Sequence, residues 1–199
     1  MTKTNYYFLQ KEEFIKHNII TKIMPKSIKN QFTDEFIRTI DHFLNKSTIL
    51  AILGVGNEDN GDDAVGLYIT RILQKAILPN WVEIFYCERV PEHFLGKLDK
   101  LKPNRIMVLD AADMKETPGA IAIFPKEMIS QGYHFSTHTL SLTMLEEFLK
   151  PSIEDLKTLY VGIQPKHTVF ETPLSEECKK EGEEFAELLI ERIKLRNEK

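Results

Sequence analysis

Thr48-Ile-Leu-Ala-Ile-Leu-Gly54, continued by Val55-Gly-Asn-Glu-Asp-Asn-Gly-Asp-Asp63, decides how the rest of the chain is read. An apolar run with no polar face is the pattern of a strand buried on both sides of a parallel sheet. The polar, glycine-containing loop after it leads into Val65, Tyr68, Ile69, Ile72, Leu73 and Ala76, apolar residues at helical spacing that Pro79 and Asn80 close off. One strand, one loop and one helix make the first half of a βαβ unit.

The same grammar continues outward. Trp81 to Cys87 reads as a second strand, and Phe94, Leu95, Leu98 and Leu101 as a short helix stopped by Pro103. Arg105 to Asp110 and Ala120 to Phe124 read as strands three and four. Leu140 to Leu149 reads as a helix, Leu156 to Gly162 as strand five, and Cys178 to Leu195 as a long charged helix with Phe185, Leu188, Leu189 and Ile193 inside. Strands alternating with helices predict a three-layer α/β fold, a mostly parallel, twisted sheet of about five strands with helices on both faces. Residues 1–47 differ, with eight basic and five acidic side chains and a single helical stripe of Phe32, Phe36, Ile37, Ile40, Phe43 and Leu44. They are expected to form an N-terminal helical extension, docked on a main domain spanning residues 48–199 or serving as a partner-binding arm.

Composition excludes several classes. At 199 residues, with 42% hydrophobic and 28% charged residues, the chain is an ordinary globular protein. Cys87 and Cys178 are too few for a disulfide framework or a thiolate zinc site. A net charge of −4 argues against nucleic acid as a partner. No stretch approaches the roughly 18 apolar residues of a membrane span, and Thr2 to Leu9 lacks the form of a signal peptide. The expectation is a cytoplasmic protein with no membrane partner.

In an open α/β sheet, ligands bind beyond the carboxyl ends of the strands. Three polar segments fall there: the Gly54–Asp63 loop, Asp110-Ala-Ala-Asp113 after strand three, and Ser136-Thr-His138 before the Leu140 helix. Gly54-Val-Gly56 opens like a dinucleotide fingerprint, but Glu58 and Asp59 stand where the third glycine belongs, and no P-loop lysine follows. A cation suits the acids better. One of Asp62 and Asp63 is expected to cap the helix; Asp62 is the natural choice, which leaves Asp63 facing the cleft. Asp63, Asp110 and His138 then form a candidate ligand set for zinc or nickel with open positions. His134, His93 and His167 are the competing histidines.

At these residues the chain resembles a known family. Gly54-Val-Gly-Asn57 with Gly61-Asp-Asp-Ala-Val-Gly66, Ile106-Met-Val-Leu-Asp-Ala-Ala-Asp113, Pro118-Gly119, Ser136-Thr-His138 and Val161-Gly-Ile-Gln-Pro165 resemble, in order, the motifs of the [NiFe]-hydrogenase maturation endopeptidases. The likeness runs from about Thr48 to Ile193, and Gly162-Ile-Gln-Pro165 points to the branch that serves formate-hydrogenlyase (hydrogenase-3) type enzymes. The resemblance implies an endopeptidase that removes a C-terminal peptide from the large subunit precursor after nickel insertion. It implies that Asp63, Asp110 and His138 read nickel supplied by the substrate, with zinc or another divalent cation able to take its place. It also implies carboxylate chemistry of the aspartic-type grouping, with Asp63 or Asp110 as the group that activates water. A non-catalytic nickel-sensing chaperone and a small-molecule metallohydrolase are the alternatives. Three departures stand out: Asp63 where many members carry Glu, Tyr86 to Val90 in place of a glycine-rich turn before Pro91-Glu92, and an N-terminus without counterpart in the family core. Its removal is expected to spare the fold.

Overall fold

The computed structural model describes residues 32–124 and 139–197. It opens with helix α1, Asp34–Asn45, started by Thr33, whose hydroxyl accepts from the Phe36 amide at 3.2 Å. Strand β1, Leu50–Val55, begins two residues later than the apolar run. The reason is local: the Thr48 and Ile49 amides are taken by the Asn104 side-chain oxygen at 2.7 and 3.2 Å, so the ladder starts at Leu50. A 3₁₀ turn at Gly61–Ala64 leads into α2, Val65–Lys75. Next come β2, Val82–Glu88, a 3₁₀ turn at Pro91–Phe94, α3, Leu95–Leu101, and β3, Arg105–Ala111. Strand β4, Ile121–Phe124, α4, Thr139–Leu149, β5, Lys157–Ile163, and α5, Glu176–Asn197, complete the described elements.

The sheet order is β2-β1-β3-β5-β4. β1 pairs parallel with both β2 and β3, β3 pairs parallel with β5, and β4 alone runs antiparallel along β5. The chain leaves β1 toward one side for β2 and returns to the other for β3, so the switch in strand order falls at β1. Such a point opens a crevice at the carboxyl ends.

Successive residues of a strand face opposite ways, and the core divides accordingly. Leu50, Ile52, Met107 and Leu109 join one cluster with α1, α2 and α5; Ala51, Leu53, Ile106 and Val108 join the other, with Leu98 of α3 and Leu142 and Leu145 of α4. By the same alternation Asp110 stands on the α3–α4 side. The expected docked helix is present in α1, but it is more than an appendage. Phe36, Ile40, Phe43 and Leu44 are buried in the same cluster as the sheet and α5. Phe36 meets the Phe185 ring edge-on at 6.0 Å, and Arg192 of α5 pairs with Asp41. Among the described residues, no helix is long and apolar enough to cross a membrane.

Candidate active site

The site is built on the loop from Val55 to Ala64. Gly56 prolongs the sheet by donating to Glu88 O at 3.0 Å, then turns the chain at φ 143°. A side chain there would put its Cβ 1.9 Å from Asp63 O, so only glycine allows the loop to fold back on itself. The return is fixed by main-chain bonds, Asn57 N to Asp63 O at 3.3 Å and Asp63 N to Asn60 O at 3.1 Å. Gly66, one turn into the following helix, lies against two strands at once: a Cβ would stand 2.2 Å from Leu109 O and 2.6 Å from Val55 O. That close approach seats the Asp63 turn over the carboxyl ends of β1 and β3.

The four acids of the loop have different fates. Glu58 is engaged by the Tyr86 hydroxyl and the Arg71 guanidinium, which also lies 5.0 Å from the centre of the Tyr86 ring. Burial, with Glu58 beside it, pushes the Tyr86 phenol far above its usual value. Asp59 is exposed, and its carbonyl accepts from Glu171 N at 2.6 Å.

Asp62 corrects the expectation drawn from spacing. It does not cap α2, whose first turn has no side-chain cap. Its carboxylate is fully buried and turned toward the segment between β5 and α5. Oδ1 accepts from Ser175 N at 2.6 Å; Oδ2 accepts from Ser175 Oγ at 2.9 Å, Lys166 N at 2.7 Å and His167 N at 3.3 Å. Four donors around one carboxylate outweigh what a frayed helix end offers. Burial acts to raise the Asp62 pKa, and these donors overcome it, holding the group below its usual range.

Asp63 and Asp110 are the two candidate acids near the carboxyl edge of the sheet. Asp63 sits half-buried in the 3₁₀ turn, and Asp110 is the penultimate residue of β3, 6% exposed. His138, one residue before α4, lies outside the described residues, as do His134 and Ser136. Among the described residues, no three His, Cys, Asp or Glu side chains gather as metal ligands. The donor types suit a divalent cation: two carboxylates at one edge, and a helix on the Asp110 side of the sheet that begins directly after an imidazole. His93 is exposed beside the 3₁₀ turn after β2. His167 is turned to Thr172, with Nδ1 and Oγ1 3.3 Å apart.

Gln164 was singled out only within a motif, and its work is visible only in three dimensions. Its side-chain oxygen accepts from Met114 N at 2.7 Å and Glu116 N at 3.2 Å, fixing the turn that follows Asp110. Both thiols are buried. Burial raises Cys87 to about 12 and Cys178 to about 11, and the Cys178 thiol donates to Gln164 O at 3.3 Å.

The sheet, with its strand order switching at β1, defines a doubly wound α/β protein. Comparison with known proteins makes this particular. Residues 67–192 match the family model for hydrogenase maturation protease. A Methanocaldococcus jannaschii protein provisionally named a hydrogenase maturation protease is 36% identical over 152 residues, 72% of this chain and 88% of its own. The hydrogenase 3 maturation protease of Escherichia coli K12 is 31% identical over 128 residues, 64% of this chain and 80% of its own. The crystal structure of a [NiFe] hydrogenase maturation protease from Thermococcus kodakarensis superposes with a TM-score of 0.67 at 26% identity, covering 78% of this chain and 99% of that one. The chain belongs to the hydrogenase maturation protease family.

Proposed function

We propose that this enzyme, acting in the cytoplasm, removes a C-terminal peptide from a [NiFe]-hydrogenase large subunit precursor after nickel insertion. Nickel held by the precursor is the feature it recognises. The observation that carries the reading is the seating of the Asp63 turn, through Gly66 against Leu109 O and Val55 O, at the carboxyl edge of the sheet where Asp110 lies near the end of β3. Asp63, Asp110 and His138 together supply two carboxylates and one imidazole, a set that leaves coordination positions for ligands the substrate already holds. Zinc or another divalent cation can occupy the same set.

Hydrolysis needs a base for water and a proton for the departing amine. The site offers two carboxylates for this, and the buried thiols offer no alternative nucleophile. Asp63, Asp110 and His138 would hold the nickel that the precursor brings, and the metal would supply Lewis-acid polarisation. Recognition through the metal also gives a gate, because binding weakens when the differential contact is missing.

The test is the intact mass of the precursor after incubation, with nickel-loaded and nickel-free forms side by side. Loss of a C-terminal peptide from the loaded form alone is expected, and Asp63→Asn or Asp110→Asn abolishes it. Cleavage of both forms would remove nickel as the gate. An unchanged mass for the loaded cognate precursor would overturn the reading.

A further inference from the structure

The segment between β5 and α5 carries two exposed apolar side chains, Val169 at 57% and Phe170 at 64% exposure. They do not hang on a loose loop. Both bases of the segment are tied to the acidic loop of the site: Asp62 N donates to His167 O at 3.0 Å, Gly61 N to Thr172 O at 3.1 Å, and Glu171 N to Asp59 O at 2.6 Å. The Asp62 carboxylate gathers Lys166, His167 and Ser175, and Thr172 Oγ1 donates to Val169 O at 2.6 Å, closing the tip. The backbone of the segment is pinned, while the exposed Phe170 side chain adds no burial to the monomer's own fold. The segment is instead tied beside the loop that carries Asp63, where a protein substrate would pass.

We propose that Val169 and Phe170 form a substrate-docking lip that sets the affinity for the protein substrate. The lip takes an apolar patch on the precursor's folded body, flanked by a basic residue that meets the exposed Asp59 and Glu171 at its foot. An aromatic anchor on a pre-ordered support loses little entropy on binding, which is why such residues dominate protein interfaces. The lip acts on binding and leaves the reacting atoms to the carboxylates, so it raises affinity without changing the chemical step. The inference rests on the proposed function for the identity of the partner.

The experiment uses the full chain and measures, in parallel, binding of the nickel-loaded precursor and its cleavage. Val169→Ser/Phe170→Ser is expected to raise Kd and KM about 10- to 100-fold, the worth of one or two apolar side chains, with kcat within about two-fold and an unchanged melting temperature. Phe170→Leu restores most of the affinity. Unchanged Kd and KM would overturn the lip. A fall in kcat at constant KM would overturn it too, as would a loss of affinity that Phe170→Leu fails to restore. Lip-dependent binding without cleavage by the wild type would sink the peptidase reading and leave the lip standing. Absence of wild-type binding would sink both.

Discussion

Replacing Asp62 separates two roles for the same residue by size alone. A helix cap is worth about 1 kcal/mol. The structure instead gives Asp62 four donors, and two of them, Ser175 N and Ser175 Oγ, are buried with it. In Asp62→Ala those two lose their partner without gaining water, at about 1–3 kcal/mol each. The Lys166 and His167 amides are only part-buried and rehydrate in large part. The expected loss is therefore about 3–4 kcal/mol. For a chain of this size that lowers Tm by about 6–16 °C, against about 2–4 °C for a lost cap. Asp62→Asn should fall nearly as far, because its amide turns a donor toward donors.

The pH dependence provides a second reading of the same group. Its folded pKa lies below the ordinary 3.8. A depressed carboxylate contributes in full above its unfolded value, and the contribution is lost as pH falls through the folded one. The gap in unfolding free energy between wild type and Asp62→Asn should be flat from about pH 5 to 8 and shrink below about pH 4. Urea melts with both variants supply the measurement. A Tm loss under about 4 °C, or a gap that widens on acidification, would refute the assignment of Asp62 as the tie between the two loops.

Three further outcomes are expected. Deleting Met1 to Asn45 removes Phe36, Ile40, Phe43 and Leu44 from the core; at about 2–5 kcal/mol for each large side chain, the sum rivals the whole stability of a domain. The truncated chain should lose cooperative unfolding, against the expectation from sequence, and a sharp melt within a few degrees of wild type would restore that expectation. Gly66→Ala drives a Cβ to 2.2 Å from Leu109 O and should destabilise the protein by about 3 kcal/mol or more while abolishing cleavage; a soluble variant with full activity would contradict the seating of the site loop. Iodoacetamide at pH 8 should leave the native protein unlabelled and modify both Cys87 and Cys178 once guanidinium unfolds it, whereas rapid native labelling would reopen thiol catalysis.

Much of the architecture was legible because each β unit announces itself locally. The Leu50–Val55 run, the glycines of the loop and the helical stripe from Val65 lie within one short window, and their periodicities switch where the structure switches. Asp63 and Asp110 were singled out by the same logic, as acids in segments at the carboxyl ends of apolar strands, and we propose them as site residues. What went astray at Asp62 has a definite cause. A carboxylate three residues before a helix looks like a cap, and the donors that claim it lie more than 100 residues further along the chain. Spacing arguments see only neighbours in sequence. The docking of α1 was expected, but a stripe such as Phe36, Ile40 and Phe43 shows only that a helix has an apolar face, not how much of a core depends on it.

The amino-acid sequence by itself determined the alternation of strands and helices, the carboxyl edge of the sheet, and the acids near that edge that we propose as the site. All three follow from short-range periodicity and from the fixed geometry of parallel sheets. The tertiary structure alone decided which acid serves which purpose. It turned Glu58 to Arg71 and Tyr86, drew Asp62 into the fold as a tie, and set Val169 and Phe170 beside the crevice on a loop that the tie holds. Those assignments depend on partners brought together by folding, and a buried carboxylate goes where its donors are.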